Sequence, residues 1–226
     1  MRANGESEPD GFTGIYEVPE AAGYLRASRM ADEVYRVGSR HLIRWVRRGL
    51  VLPSLAEVPG RDLIISFEDL VSMRIIAALR AAGVSWPKIR KAEAWLREHT
   101  RKPRPFATEL LWTERSDVFA EFQMKLIAAS RCGQLAMDTL RNYLIPVHGL
   151  TFGRERVAIS WEPRDGILMH PLIQFGAPCI KGTRIPTRAV WGMVKGGDSI
   201  ERVVRAYRIT EDEAEAAVSW EEALAA

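Results

Sequence analysis

An α+β fold, mainly helical, is what the sequence predicts, and three observations predict it. Over most of the chain apolar residues recur at intervals of three and four, the spacing of one face of an α-helix. Two stretches punctuated by Pro and Gly, around Pro59-Gly60 and from Phe175 to Thr187, instead alternate apolar and other residues as short strands do. Charge is unevenly placed along the chain, which points to a succession of units with different partners.

Composition sets the outer limits. With 226 residues, 47% hydrophobic and 27% charged, the chain can bury one or two cores. No apolar run approaches the roughly 18 to 20 residues of a membrane span. The start, "MRANGESEPDGFTG", has neither a basic region nor an apolar one. The expected location is therefore cytoplasmic, with no membrane partner. Cys132 and Cys179 are far apart, and the four histidines show no ligand spacing, so no metal, cofactor or disulfide framework is expected. A metal-dependent nuclease would need several carboxylates converging on Mg²⁺, and the acids outside the final helix are scattered among ordinary amphipathic positions, so the chain is not expected to be an enzyme.

The net charge of +3 conceals a marked segregation. Residues 1–23 carry −4, residues 24–104 carry +9, residues 105–209 carry +4 and residues 210–226 carry −6. A +9 segment in a nearly neutral chain is the footprint of a polyanionic partner, or else a solvated basic face. Arginine outnumbers lysine by 26 to 6, and its planar fork suits phosphate.

Residues 1–14 are polar and aperiodic and are expected to be a disordered tail. Residues 15–104 form the first unit. A short helix starts at Pro19 and presents Ala21, Ala22 and Leu25 to a core. After the spacer "RMADEVYRV", "GSRHLIRWVRRGL" reads as a helix N-capped by Ser39, with Leu42, Ile43 and Val46 as its apolar stripe and Gly49 near its end. Trp45 is expected in the core. Arg40, Arg44, Arg47 and Arg48 share the other face. A turn at Pro59-Gly60 suggests a two-stranded wing with Arg61 at or near its tip. Ser66 and Asp69 resemble a capping box opening a long helix, and Ser85 precedes a further helix that tolerates Pro87 in its first turn.

Residues 105–165 read as a small α/β region. It has a hairpin around Thr113–Asp117, a helix in "GQLAMDTLRNYLI" and a strand through Val157, Ile159 and Trp161. Its default role is structural or dimerising. Residues 166–226 start with a ribbon and end in three short helices, capped at Ser199 for the second and by the Thr210–Glu213 capping box for the third. Three short helices with tight turns have the outline of a homeodomain-like unit. Its third helix, however, carries Glu211, Asp212, Glu213, Glu215, Glu221 and Glu222, which would repel phosphate.

Two resemblances add to this reading. Helix, basic helix, wing and long helix, with Ser39, Leu42, Trp45, Gly49 and Leu50 in the pattern S-x-x-L-x-x-W-x-x-x-G-L, resemble the winged helix-turn-helix of the MerR and excisionase-like regulators. That resemblance implies binding to double-stranded operator DNA. The contact set is Ser39, Arg40, Arg44, Arg47 and Arg48, with Arg61 gripping the adjacent backbone. The stretch "HPLIQFGAPCIKGTRIPTRAV" and the helices after it resemble a bacterial family of short domains often described as antitoxins encoded beside PIN-like ribonuclease toxins. Gly176, Pro178, Gly182, Thr183, Arg184, Ile185 and Pro186 carry the match, and His170 stands where the family usually has Asp. Head and tail together resemble the longer VapB-type antitoxins.

The ribbon's glycines permit positive φ, and its prolines fix φ and withhold ladder hydrogen bonds. It is expected either to pair with a second copy, with Ile180 and Ile185 buried there, or to cap the three helices internally. The resemblance implies a homodimeric antitoxin that represses its own operator and captures a toxin. Glu211, Glu215, Glu221 and Glu222 are the candidate toxin contacts. The alternative is a MerR-like regulator that responds to a small-molecule effector through residues 105–165.

Overall fold

The computed structural model describes residues 14–28, 38–48, 51, 63–81, 84–109 and 149–226. The wing with Arg61, the hairpin at 113–117, the helix in 133–145, Cys132 and residues 1–13 of the expected tail lie outside them. The architecture is mixed α and β, with helices prevailing and two antiparallel sheets among the described residues.

The head begins with β1 (Tyr16–Glu17), which runs straight into α1 (Val18–Ala27). Pro19 in the first turn needs no N–H partner there, so the helix starts without a side-chain cap. Then follow α2 (Ser39–Arg47), β2 (Ile64–Ile65), α3 (Phe67–Ala81) and α4 (Trp86–Thr100). β2 pairs with β1, Tyr16 opposite Ile65, so the start of the chain is tied to the residues that lead into α3. The capping box at α3 is formed: the Asp69 N–H donates to Ser66 Oγ and the Ser66 N–H to Asp69 Oδ2, each at 3.1 Å. Arg104 adds a 2.5 Å ion pair to Asp69, holding the segment after α4 against the start of α3. The cap expected at Ser39 is not formed. Gly38 occupies the N-cap position, and Ser39 is the first helical residue.

In the C-terminal half, β3 (Leu150–Phe152), β4 (Ala158–Arg164), β5 (Ile167–Met169) and β6 (Cys179–Ile180) make one four-stranded sheet in sequence order. The expected division at 165/166 falls in the β4–β5 hairpin, so residues 149–165 share a sheet with the ribbon. The strand expected through Val157, Ile159 and Trp161 exists, but its pairing with β3 skips Ile159, with Thr151 opposite Ser160 and Phe152 opposite Ala158. This irregularity turns Trp161 inward while Ile159 is only half-buried.

After β6 come α5 (Thr187–Lys195), α6 (Ile200–Tyr207) and α7 (Glu211–Ala225). The Thr210–Glu213 capping box opens α7. Ile180, Val190, Val203, Ile209, Ala214 and Ala217 form a small core beneath these helices. The larger core is continuous from the head into the sheet and α7: it joins Tyr16, Leu42 and Phe67 to Trp161, Met169 and Trp220.

Head and tail meet along α1. The Tyr24 and Trp220 rings stack with centroids 6.1 Å apart. Arg164 Nε donates to the Ala27 carbonyl at 2.8 Å, and its guanidinium lies 5.8 Å from the Trp220 ring centroid. Tyr16 Oη donates to the Gly176 carbonyl at 3.1 Å. Burial pushes the Tyr16 and Tyr24 hydroxyls far above the usual tyrosine pKa, so both remain neutral donors. A Cβ at Gly176 would sit 2.1 Å from Tyr16 Oη, at a φ of +94° that L side chains avoid.

Gly176→Ala is expected to cost at least ~3 kcal/mol, because both the contact and the backbone oppose it. Gly182→Ala, with a φ of +80° but open space around it, should cost about 1 kcal/mol. Urea denaturation of the two variants measures the difference, and equal losses would refute the close packing at Gly176.

Candidate nucleic-acid and partner interfaces

α2 separates its residues cleanly by face. Leu42 and Trp45 are buried, and the Trp45 ring meets Trp86 of α4 edge-on, with centroids 5.1 Å apart. The expectation that Trp45 is core holds. Arg40, Arg44, Arg47 and Arg48 are all exposed, at spacings that put them on one side of the helix. Together with the half-buried Ile43 they line a shallow depression of about 530 Å³. Among the described residues no carboxylate is paired with any of the four, so their donors face solvent. A nine-residue helix with a bare arginine face has the dimensions and donors to enter a duplex groove or grip phosphates.

The ribbon is a tight turn closed by its own side chain. The Ile180 N–H donates to the Ile185 carbonyl at 3.0 Å. Thr183 Oγ1 donates to the Ile180 carbonyl at 2.9 Å and accepts from the Ile185 N–H at 3.0 Å. Gly182 supplies the positive φ at the corner. Pro186 bridges back to Cys179, and Pro178 offers its carbonyl to the Thr187 N–H at 3.0 Å, which anchors the first turn of α5. Ile180 is fully buried in the chain's own small core and Ile185 packs partly against it, while Arg184 is exposed. Burial pushes the Cys179 thiol up to about 11, so it stays protonated near neutral pH.

The acids of α7 do not act as one set. Glu211, Glu215 and Glu222 are exposed and fall on one stripe of the helix. Glu213 is engaged by its cap. Glu221 points toward α5, accepting from Thr187 Oγ1 at 2.5 Å, and burial raises its carboxyl above the usual range against the opposing effects of Thr187 and Arg188. Of the four candidate toxin contacts, three share a surface and the fourth lines a cleft.

That cleft, of about 510 Å³, lies between α1 and the C-terminal helices. Glu20, Tyr24 and Arg26 form the head side, and Phe175, Arg188 and Glu221 face them. None of these six except Glu221 was expected as a site residue. The aromatic before Gly176 was the one signal available for Phe175. Among the described residues no group of three or more His, Cys, Asp or Glu has the arrangement of a metal site, and no helix is long and apolar enough to cross a membrane.

The two faces of α2 should separate in mutagenesis. Trp45→Ala is expected to lower stability by about 3 to 5 kcal/mol, whereas Arg44→Ala and Arg47→Ala stay within about 0.5 kcal/mol of the parent. Thermal melts followed by circular dichroism check both values.

Comparison with known proteins gives three likenesses. The chain is 22% identical to the protein named "Putative antitoxin VapB45" from Mycobacterium tuberculosis (strain ATCC 25618 / H37Rv), over 88% of this chain and 90% of that one. Its fold is similar to the X-ray crystal structure of Rv2018 from Mycobacterium tuberculosis, with a TM-score of 0.72 and 19% identity, over 90% of this chain and 96% of the other. Residues 167–220, which hold β5, β6 and most of the three-helix unit, match the family described as "Protein of unknown function (DUF433)".

Proposed function

We propose that this protein is the antitoxin of a type II toxin–antitoxin system, a non-enzymatic cytoplasmic protein that neutralises a PIN-like ribonuclease and represses its own operator as a homodimer. The likeness to a protein named as an antitoxin supports the general role. The observation that carries the finer reading is the physical separation of two charged faces: bare arginines on α2 and exposed carboxylates on α7.

In this reading α2 is the element that enters the major groove of a winged helix-turn-helix head. Arg40, Arg44, Arg47 and Arg48 contact base edges or phosphates, Ser39 lies at the helix start, and Arg61 belongs to the wing. Neutralised phosphates release counterions, so binding weakens steeply with salt. α7 would repel the same duplex. Its outer stripe suits a basic surface instead, and a ribonuclease groove is basic because its substrate is a polyanion. Glu211, Glu215 and Glu222 are the carboxylates placed to occupy such a groove. Glu221 acts within the fold.

Gel-shift titration with DNA from upstream of the gene tests the head. Arg44→Ala and Arg47→Ala are each expected to weaken binding by about tenfold, and each lost phosphate contact should lower the slope of log affinity against log salt by about 0.9. Unchanged affinity would remove α2 from the interface. For the tail, Glu211→Lys, Glu215→Lys and Glu222→Lys combined should reduce affinity for the toxin encoded alongside by more than tenfold, while Glu213→Lys alone should mainly lower helix stability. Undiminished capture by the triple variant would rule out the acidic stripe.

A further inference from the structure

The exposed side of α2 carries one residue besides its arginines, His41. His41 stands three residues before Arg44 and seven before Arg48, so it shares their side of the helix. It belongs to the first turn of α2. A Cβ placed on Gly38 would lie 3.9 Å from His41 Nδ1, so the ring leans toward the helix start. That is the end with which a groove-reading helix meets base edges.

The imidazole is not spent inside the fold. His99 Nδ1 donates to the Trp95 carbonyl at 2.8 Å, and His170 Nδ1 accepts from the Leu172 N–H at 3.1 Å. Among the described residues neither ring nitrogen of His41 has such a partner. The helices packed on α2, α1 and α4, send no hydrogen bond or ion pair to the ring. Its charged neighbours along the helix are Arg40, Arg44 and Arg48.

What the ring adds to this face is an acceptor. A guanidinium has donors and no acceptor, so the arginines can meet phosphate oxygens or O6 and N7 of guanine, but no exocyclic amine. A neutral imidazole has one accepting nitrogen, and the donors of the major groove are the amino groups on N4 of cytosine and N6 of adenine. The Ser39 hydroxyl can accept as well, but it is half-buried and keeps the same capacity at every pH. An imidazole ordinarily gains a proton near pH ~6.5, after which both nitrogens donate and the ring is one more cation.

We infer that His41 is a specificity-determining residue of the α2 interface: the neutral ring accepts a hydrogen bond from a base amino group in the major groove, and protonation exchanges that readout for unselective attraction to phosphate. This inference rests on the DNA-binding reading of α2 and adds to it a base-edge group that the arginines cannot recognise.

Gel-shift titration of the full chain at about pH 8 and about pH 5.5 tests this, with circular dichroism at both values as the folding control. The probes are DNA from upstream of the gene and a scrambled duplex of the same composition. Between the higher and the lower pH, the parent's preference for the upstream duplex should fall by about fivefold or more, while its affinity for the scrambled one rises. His41→Gln keeps a donor and an acceptor but takes up no proton, so it should hold the parent's higher preference at both values. His41→Lys, a cation without an acceptor, should show the lower preference at both, and His41→Ala should lose about fivefold in preference at the higher pH. A preference that His41→Ala leaves unchanged, or a pH dependence that persists in His41→Gln, overturns the inference and leaves the arginine face as the DNA contact. A parent that binds neither duplex, or binds both with no loss in Arg44→Ala and Arg47→Ala, overturns the DNA reading of α2 and the inference with it.

Discussion

The fold depends on one contact between distant parts of the chain: Trp220 of α7 buried against Tyr24 of α1. α7 presents Ala214 and Ala217 to the small core and Trp220 to the large one. The small residues let α7 approach α5 and α6 closely, and the indole fills the space that α1 and the sheet leave open. Arg164 reinforces the seam by bonding the end of α1 while covering the same indole. α1 in turn packs against α2, so the helix with the arginine face and the helix with the acidic stripe both rest on α1.

That arrangement gives the charge pattern its meaning. Along the sequence the +9 segment and the −6 segment are simply far apart. In the fold four arginines of the first lie exposed on α2 and three carboxylates of the second lie exposed on the outer stripe of α7, each on a helix whose opposite face is buried. Where acids and bases do meet, as at Asp69 with Arg104 or Lys181 with Glu162, they stabilise turns and linkers. Exposed pairs of this kind contribute little. The Asp69 pair differs, because its carboxylate is buried and also caps α3.

Much of this was legible in the sequence because its signals are local. The helix starting at Pro19, the reciprocal Ser66–Asp69 and Thr210–Glu213 caps, the buried Trp45 and the exposed arginine face all follow from spacing over a few residues. Long-range pairing was not legible. Nothing near Tyr16 announces Gly176 as its partner, and nothing near Trp220 announces Tyr24. The strand β5 is three residues long and exists because β4 and β6 flank it. Ser39 looked like a cap because its residue type favours that position, yet Gly38 adopts the extended backbone the cap needs. Among the acids of α7, composition suggested a uniform surface, and only the packing of α5 sets Glu221 apart.

The Tyr16–Gly176 and Ala27–Arg164 hydrogen bonds join residues 160 and 137 positions apart. Synthesis proceeds from the N-terminus, so α1 leaves the ribosome long before either partner exists. Tyr24 must wait longer still, until the indole of α7 has been translated. Throughout that interval the nascent head exposes an unfinished apolar flank to chaperones and proteases. Completion of the head is thus a late event, timed by the arrival of the last helix.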